Sequence, residues 1–160
     1  MHNPAIVSRA FVKESNGDDA EALPERAISP HPNLVTAQGL AKIEAQIRTL
    51  EADRERTRGD TDKATRARID RDLRYWVQRR ASARVVEAPA KKDRVRFGMR
   101  VTFRFEDGTE HTFRLVGEDE ADPAAGLVSY ASPVAEALMS QAVGDKVELM
   151  GRRAEIIAID

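Results

Sequence analysis

The 160-residue chain has no cysteine, a formal net charge of −1 at pH 7, 33% charged residues and 5% aromatics. That length suits one large or two small domains with an adequate apolar core, and the missing thiol excludes a disulfide framework, a thiolate zinc site and a cysteine nucleophile. His2, His31 and His111 stand too far apart for a histidine ligand spacing, so any catalysis would need carboxylates.

No run approaches the roughly 18 apolar residues of a membrane span. Met1 to Pro4 lacks the basic-then-apolar layout of a secretory signal, and the chain is expected to be cytoplasmic. The near-zero net charge hides an asymmetry: residues 1–35 carry −2, residues 36–86 carry +5 and residues 87–160 carry −4. A basic middle segment suits nucleic acid, a membrane surface or an acidic protein face.

Residues 1–33 read as an N-terminal arm without its own core, because Pro4, Pro24, Pro30 and Pro32 break helices. Within it, Ala5 to Val12 suits either a short docked element or a disordered extension. Residues 34–87 read as an antiparallel helical hairpin. Leu40, Ile43, Ile47 and Leu50 form an a/d seam behind Thr36 as N-cap, which predicts a helix over about 36–57. Gly59 suits a C-cap and Asp60 or Thr61 the next N-cap. A second seam of Ile69, Leu73, Trp76, Arg80 and Ala83 returns. Both seams are narrow, and arginines including Arg54, Arg58, Arg66 and Arg68 gather toward the turn, so the hairpin should stand in solvent, its charges supported by pairs such as Asp70 with Arg74. Trp76 suits an anchor at the hairpin base.

Residues 88–94 read as a linker. From residue 95 onward, period two takes over: Val101, Phe103 and Phe105, then Phe113 and Leu115, flank an Asp107-Gly108 turn. A short extended piece over 126–130 leads to Ser132-Pro133, an N-cap with proline at the first helical position. Two more strands follow, separated by turns at Val143 to Asp145 and at Gly151-Arg152. The whole is α+β: a helical hairpin followed by a small antiparallel sheet with one short helix. The acidic run Glu118 to Asp122 reads as a solvated turn.

The C-terminal motifs occur in a distinctive order: Phe113-Arg114-Leu115-Val116-Gly117, the acidic run Asp119-Glu120-Ala121-Asp122, then Val128 to Leu138 containing Ser129, Ser132 and Pro133, then Val143-Gly144-Asp145. Upstream stand Leu34-Val35-Thr36, Gly39 and Lys42-Ile43, with a returning Arg68 to Tyr75. This pattern, over about residues 34–160, resembles the bacterial GreA/GreB transcript-cleavage factors. The resemblance implies an FKBP-like C-terminal domain that docks on the rim of the RNA polymerase secondary channel, here through Asp119, Glu120, Asp122, Ser129, Ser132 and Pro133. It also implies a coiled coil that enters the channel with Arg54, Arg58, Arg66 and Arg68 facing its walls, and tip carboxylates, Asp60 and Asp62, that help hold a second Mg²⁺ of the polymerase. No cofactor of its own and no membrane partner is implied; RNA is met only within the complex, and the factor is expected to be a monomer.

The tip departs from the family's Gly-Asp-x-x-Glu-Asn: Gly59 and Asp60 stand as in the family, Lys63 occupies the glutamate position, and Asp62 is the available substitute. The hairpin is also shorter than the family's by about nine residues per arm, about 14 Å of reach at 1.5 Å per residue. Three alternatives stay open beside a cleavage-stimulating factor. One is a short-coil, Rnk-like regulator that occupies the channel without cleavage, one a prolyl isomerase built on an aromatic pocket, and one a binder of free nucleic acid, DNA included, through the arginine-rich hairpin. Asp60 and Asp62 equally suit plain helix capping.

Overall fold

The computed structural model describes residues 23–59 and 62–160; the segment Ala5 to Val12 and the tip residues Asp60 and Thr61 lie outside the described residues. A two-residue strand β1 (Leu34–Val35) leads into helix α1 (Ala37–Arg56), and α2 (Lys63–Ser82) returns to strand β2 (Arg84–Val85). Thr36 caps α1 as its position predicts, its Oγ1 accepting the Gly39 N–H at 2.9 Å. Ile43 and Ile69 are buried in the seam, whereas Leu40, Ile47, Leu50 and Leu73 are half-buried. The narrow stripe leaves most of each helix in water. Charged pairs brace it across the helices, Arg54 with Asp70 and Arg80 with Glu44, each at 3.2 Å.

Several local expectations are corrected. Helix α1 stops at Arg56 with Thr57, not Gly59, as C-cap: the Thr57 N–H and hydroxyl both donate to the Asp53 carbonyl at 3.0 Å, satisfying a terminal acceptor without a left-handed glycine. Helix α2 is capped by Asp62, one or two residues later than Asp60 or Thr61. Arg74 pairs with Glu25 rather than Asp70, which is taken by Arg54. Arg80 is exposed, and its neighbour Arg79 is buried instead, because the last turn of α2 also faces the C-terminal unit and not only α1.

The C-terminal unit is a curled five-stranded sheet, β3 (Arg100–Phe105), β4 (Glu110–Val116), β5 (Leu127–Ser129), β6 (Lys146–Leu149) and β7 (Arg152–Ile159), in the order β5-β4-β3-β7-β6, with helix α3 (Pro133–Leu138) packed on it. The Asp107-Gly108 turn joins β3 to β4 as its sequence predicts, with Gly108 at φ 85°. The α+β expectation holds, but the sheet is mixed. Two short 3-10 turns, Glu118–Glu120 and Pro123–Ala125, carry the chain back across the end of β4, so β5 runs parallel to it. Strands β1 and β2 also pair in parallel, joining the two feet of the hairpin.

Alternation in β3 buries Val101, Phe103 and Phe105. They meet Val95, Met99, Leu115, Leu138 and Ile156 in one core. Ser132 Oγ accepts the Ala135 N–H at 3.3 Å, and Ala135 and Leu138 are the face of α3 that this start delivers to the core. Ser132→Ala is expected to lower stability by about 1 kcal/mol, read as a shifted urea midpoint at unchanged slope.

Candidate functional site

Three features carry the chemistry: the hairpin tip, a buried polar node between the hairpin and the sheet, and the start of α3. At the tip, Asp62 Oδ1 accepts the N–H groups of Ala64 at 3.1 Å and Thr65 at 3.2 Å, and Oδ2 accepts the Thr65 hydroxyl. These bonds, chiefly those from Thr65, hold its carboxyl below the usual range, so it is anionic. Oδ1 caps the first turn of α2, and Oδ2 holds the Thr65 side chain. Arg54, Arg58, Arg66 and Arg68 are exposed around the tip. Arg54, Arg58 and Arg66 share one groove with Glu51 and Glu55, and Arg68 lies in a second, beside Leu50 and Ile69.

The acidic run is not a solvated turn. Arg79, with 2% of its side chain exposed, donates from Nε to Asp119 Oδ2 at 2.5 Å and stands 3.6 Å from Glu118. The Tyr75 hydroxyl donates to Asp119 Oδ1 at 2.6 Å. Burial and the Asp119 carboxylate push that phenol up to about 12, so it remains a donor. Glu120, 5% exposed, accepts the Thr36 hydroxyl at 2.6 Å, tying the cap of α1 to the same turn. A β-carbon on Gly39 would lie 2.6 Å from Glu120 Oε2, so any larger residue there displaces the Glu120 carboxylate from Thr36. An isolated buried charge is prohibitive, and one cation among carboxylates and hydroxyl donors is how such a group is accommodated.

Asp119 and Glu120 therefore face inward, whereas Asp122 and Pro133 are exposed and Ser129 and Ser132 half-buried. Ser129 Oγ accepts the Ala131 N–H at 3.2 Å, which joins the end of β5 to the start of α3. The structure thus gathers Ser129, Ser132 and Pro133 on one short stretch, separates them from Asp119 and Glu120, and carries Asp62 on the hairpin; Asp60 lies outside the described residues. Trp76, expected as the anchor, is half-buried and packs edge-on against Tyr75 at 5.1 Å. The hydrogen bond to the C-terminal unit is made by Tyr75.

Sequence reasoning missed Arg79, Glu118 and Asn33. Asn33, 6% exposed, donates to the Arg79 carbonyl at 2.7 Å. The available signal was an arginine beside the seam and three consecutive acids just after β4, a complementarity that becomes visible only once both are placed. Phe97, Phe103 and Phe105 are buried and Phe113 packs on the core; of these, Phe105 borders a surface pocket whose other lining residues are mostly charged. Among the described residues no three His, Asp or Glu are grouped to hold a metal, and no helix is long and apolar enough to cross a membrane.

Residues 90–160 match the family model described as "Transcription elongation factor, GreA/GreB, C-term". Over 135 residues the chain is 31% identical to the transcription elongation factor GreA of Oenococcus oeni, covering 72% of this chain and 83% of that one. It is 39% identical over 83 residues to GreB of Neisseria meningitidis, about half of each chain (51% and 51%). Among solved structures, the transcription elongation factor GreA/GreB of Nitrosomonas europaea aligns with TM-score 0.40 and 22% identity over 79% of this chain and 97% of that one. The GreA factor homolog 1 (Gfh1) of Thermus thermophilus aligns with TM-score 0.39 and 18% identity, over 81% and 99%.

Proposed function

The chain belongs to the GreA/GreB family of transcription elongation factors, which bind RNA polymerase, act through its active site and are not enzymes in their own right, and from that premise we propose that this member occupies the secondary channel and modulates elongation without stimulating RNA cleavage. The observation that carries this reading is Asp62. Its carboxylate accepts three bonds from the first turn of α2, so a place in a Mg²⁺ shell would compete with its role as helix cap. Lys63 follows it with the opposite charge.

Reach argues the same way. Helix α1 has 20 residues, about 30 Å at 1.5 Å per residue, on a hairpin about nine residues per arm shorter than the family's. The basic residues Arg54, Arg58, Arg66 and Arg68 suit the walls of the channel and the phosphates of transcribed RNA inside the complex. Docking on the polymerase rim falls to Asp122, Ser129, Ser132 and Pro133. Asp119 and Glu120 contribute to it through the fold, because their carboxylates are committed to Arg79, Tyr75 and Thr36. The factor works as a monomer and brings no cofactor; the Mg²⁺ is the polymerase's own.

Stalled, backtracked elongation complexes test this. The expected result is binding of the factor with no shortening of the RNA, and slower elongation at saturating factor. RNA shortening that disappears in the Asp60→Ala and Asp62→Ala variants would overturn the proposal in favour of a cleavage factor.

A further inference from the structure

The segment 24–33 belongs to neither packed unit, yet it touches both. It runs alongside α2 in the same chain direction. At the foot, Asn33 Nδ2 donates to the Arg79 carbonyl at 2.7 Å and to Ser82 Oγ at 3.1 Å. Further along, the Arg26 guanidinium lies 3.7 Å from the centre of the Tyr75 ring and 5.4 Å from that of Trp76, with a nitrogen 3.7 Å from Asp72. Beyond it Glu25 accepts bonds from both Nε and Nη2 of Arg74.

The opposite edge of the same segment holds the C-terminal unit. Ser29 Oγ donates to Glu118 at 2.8 Å while accepting the His31 N–H at 3.2 Å, so its hydroxyl has both roles filled. The Tyr130 hydroxyl donates to the Pro32 carbonyl. Pro24, Pro30 and Pro32 restrict φ and make so short a stretch stiff.

We propose that residues 24–33 are a strap that sets the angle of the hairpin on the C-terminal unit, with Arg26 and Ser29 as its positioning residues. The direct attachments between the units, the Thr36–Glu120 bond, the Arg114–Gln38 bond and the Arg79 node with its Tyr75–Asp119 bond, reach no further up α2 than Tyr75. A hinge at the foot leaves a lever free to swing. The strap braces that lever from further up its side: Glu25 holds Arg74 and Arg26 stands beside Asp72, which lies ten residues from the C-terminal end of α2, about 15 Å along the helix at 1.5 Å per residue. The contacts are also of mixed type, a cation over an aromatic face and a hydroxyl to a carboxylate, so no single attachment carries the geometry. The inference stands on this geometry alone and needs no polymerase.

The cysteine-free chain allows a direct test. Ala52 on α1 and Glu148 on β6 are exposed; Ala52→Cys and Glu148→Cys in the full chain take one spin label each, and pulsed dipolar spectroscopy reads the distance between them. A single narrow distribution is expected in the parent. Arg26→Ala with Ser29→Ala should broaden it at least twofold at unchanged helical ellipticity at 222 nm, and Tyr130→Phe, which removes only the hydroxyl that meets Pro32, should broaden it less. Equal widths in all three proteins would overturn the proposal. So would broadening accompanied by loss of helicity, since the segment would then stabilise α2 rather than orient it.

Discussion

Asp119→Ala is expected to lower the stability of the chain by about 3–5 kcal/mol, because it strips the close partner from a guanidinium that stays buried. Arg79 has 2% of its side chain exposed, and Asp119 stands 2.5 Å from its Nε and accepts the Tyr75 hydroxyl on its other oxygen. The alanine therefore leaves one cation and one phenol short of an acceptor at once. Glu118, at 3.6 Å from Arg79, is too far to replace a direct bond. Trp76 is the chain's single tryptophan and lies edge-on to Tyr75, so its fluorescence during urea unfolding reports the relevant helix. Arg79→Met combined with Asp119→Ala should be less damaging than Asp119→Ala alone, since the charge is removed with its partner. A loss below about 0.5 kcal/mol for Asp119→Ala would mean that Arg79 is hydrated in solution and that the node is not a stabilising contact.

Gly117→Ala is the second large effect. Gly117 follows β4 with φ −68° and ψ 161°, a conformation open to any residue, so backbone freedom is not why glycine is there. A β-carbon at this position would lie 2.4 Å from the Leu34 carbonyl oxygen and 3.5 Å from the Val35 Cα. Both are backbone atoms of the β1 foot and cannot rotate aside. Without that obstacle, replacing glycine by alanine at a compatible φ would stabilise by about 0.4–1 kcal/mol through the unfolded chain. Overpacking typically costs about 1–3 kcal/mol, so the sign of the change decides the matter. Destabilisation is expected, with faster amide exchange at Arg84 and Val86, whose N–H groups donate to the Asn33 and Val35 carbonyls across the foot. A neutral or stabilised variant would show that the hairpin foot does not press on β4.

The elements that were legible in the sequence are those whose signal is local. Thr36 and Ser132 cap their helices from the expected positions, and Asp107-Gly108 turns β3 into β4. Period two in Val101, Phe103 and Phe105 names the buried face of β3. The reading fails where two segments distant in sequence must meet. A heptad seam says which residues face the partner helix, but the last turn of α2 has a second neighbour, and that neighbour decides that Arg79 rather than Arg80 is buried. The acids after β4 look like any solvated turn until an arginine is brought to them. Parallel pairing is silent for the same reason: β1 and β5 are two and three residues long and owe their direction to the chain that returns them. At the tip the sequence names Asp62, and the geometry of its bonds to Ala64 and Thr65 makes it the cap of α2.

The parallel ladder of Leu34–Val35 with Arg84–Val85 places the exit and the re-entry of the hairpin side by side. Everything between them is an excursion that begins and ends at one spot, so its length is uncoupled from the fold of the rest. Inserting seven residues into each arm keeps the a/d register and moves the tip outward by about 10 Å, while the residues at the foot keep their neighbours. How far such a protein can probe is thus a dimension that insertion and deletion can adjust alone, and the modest reach seen here is one setting of it.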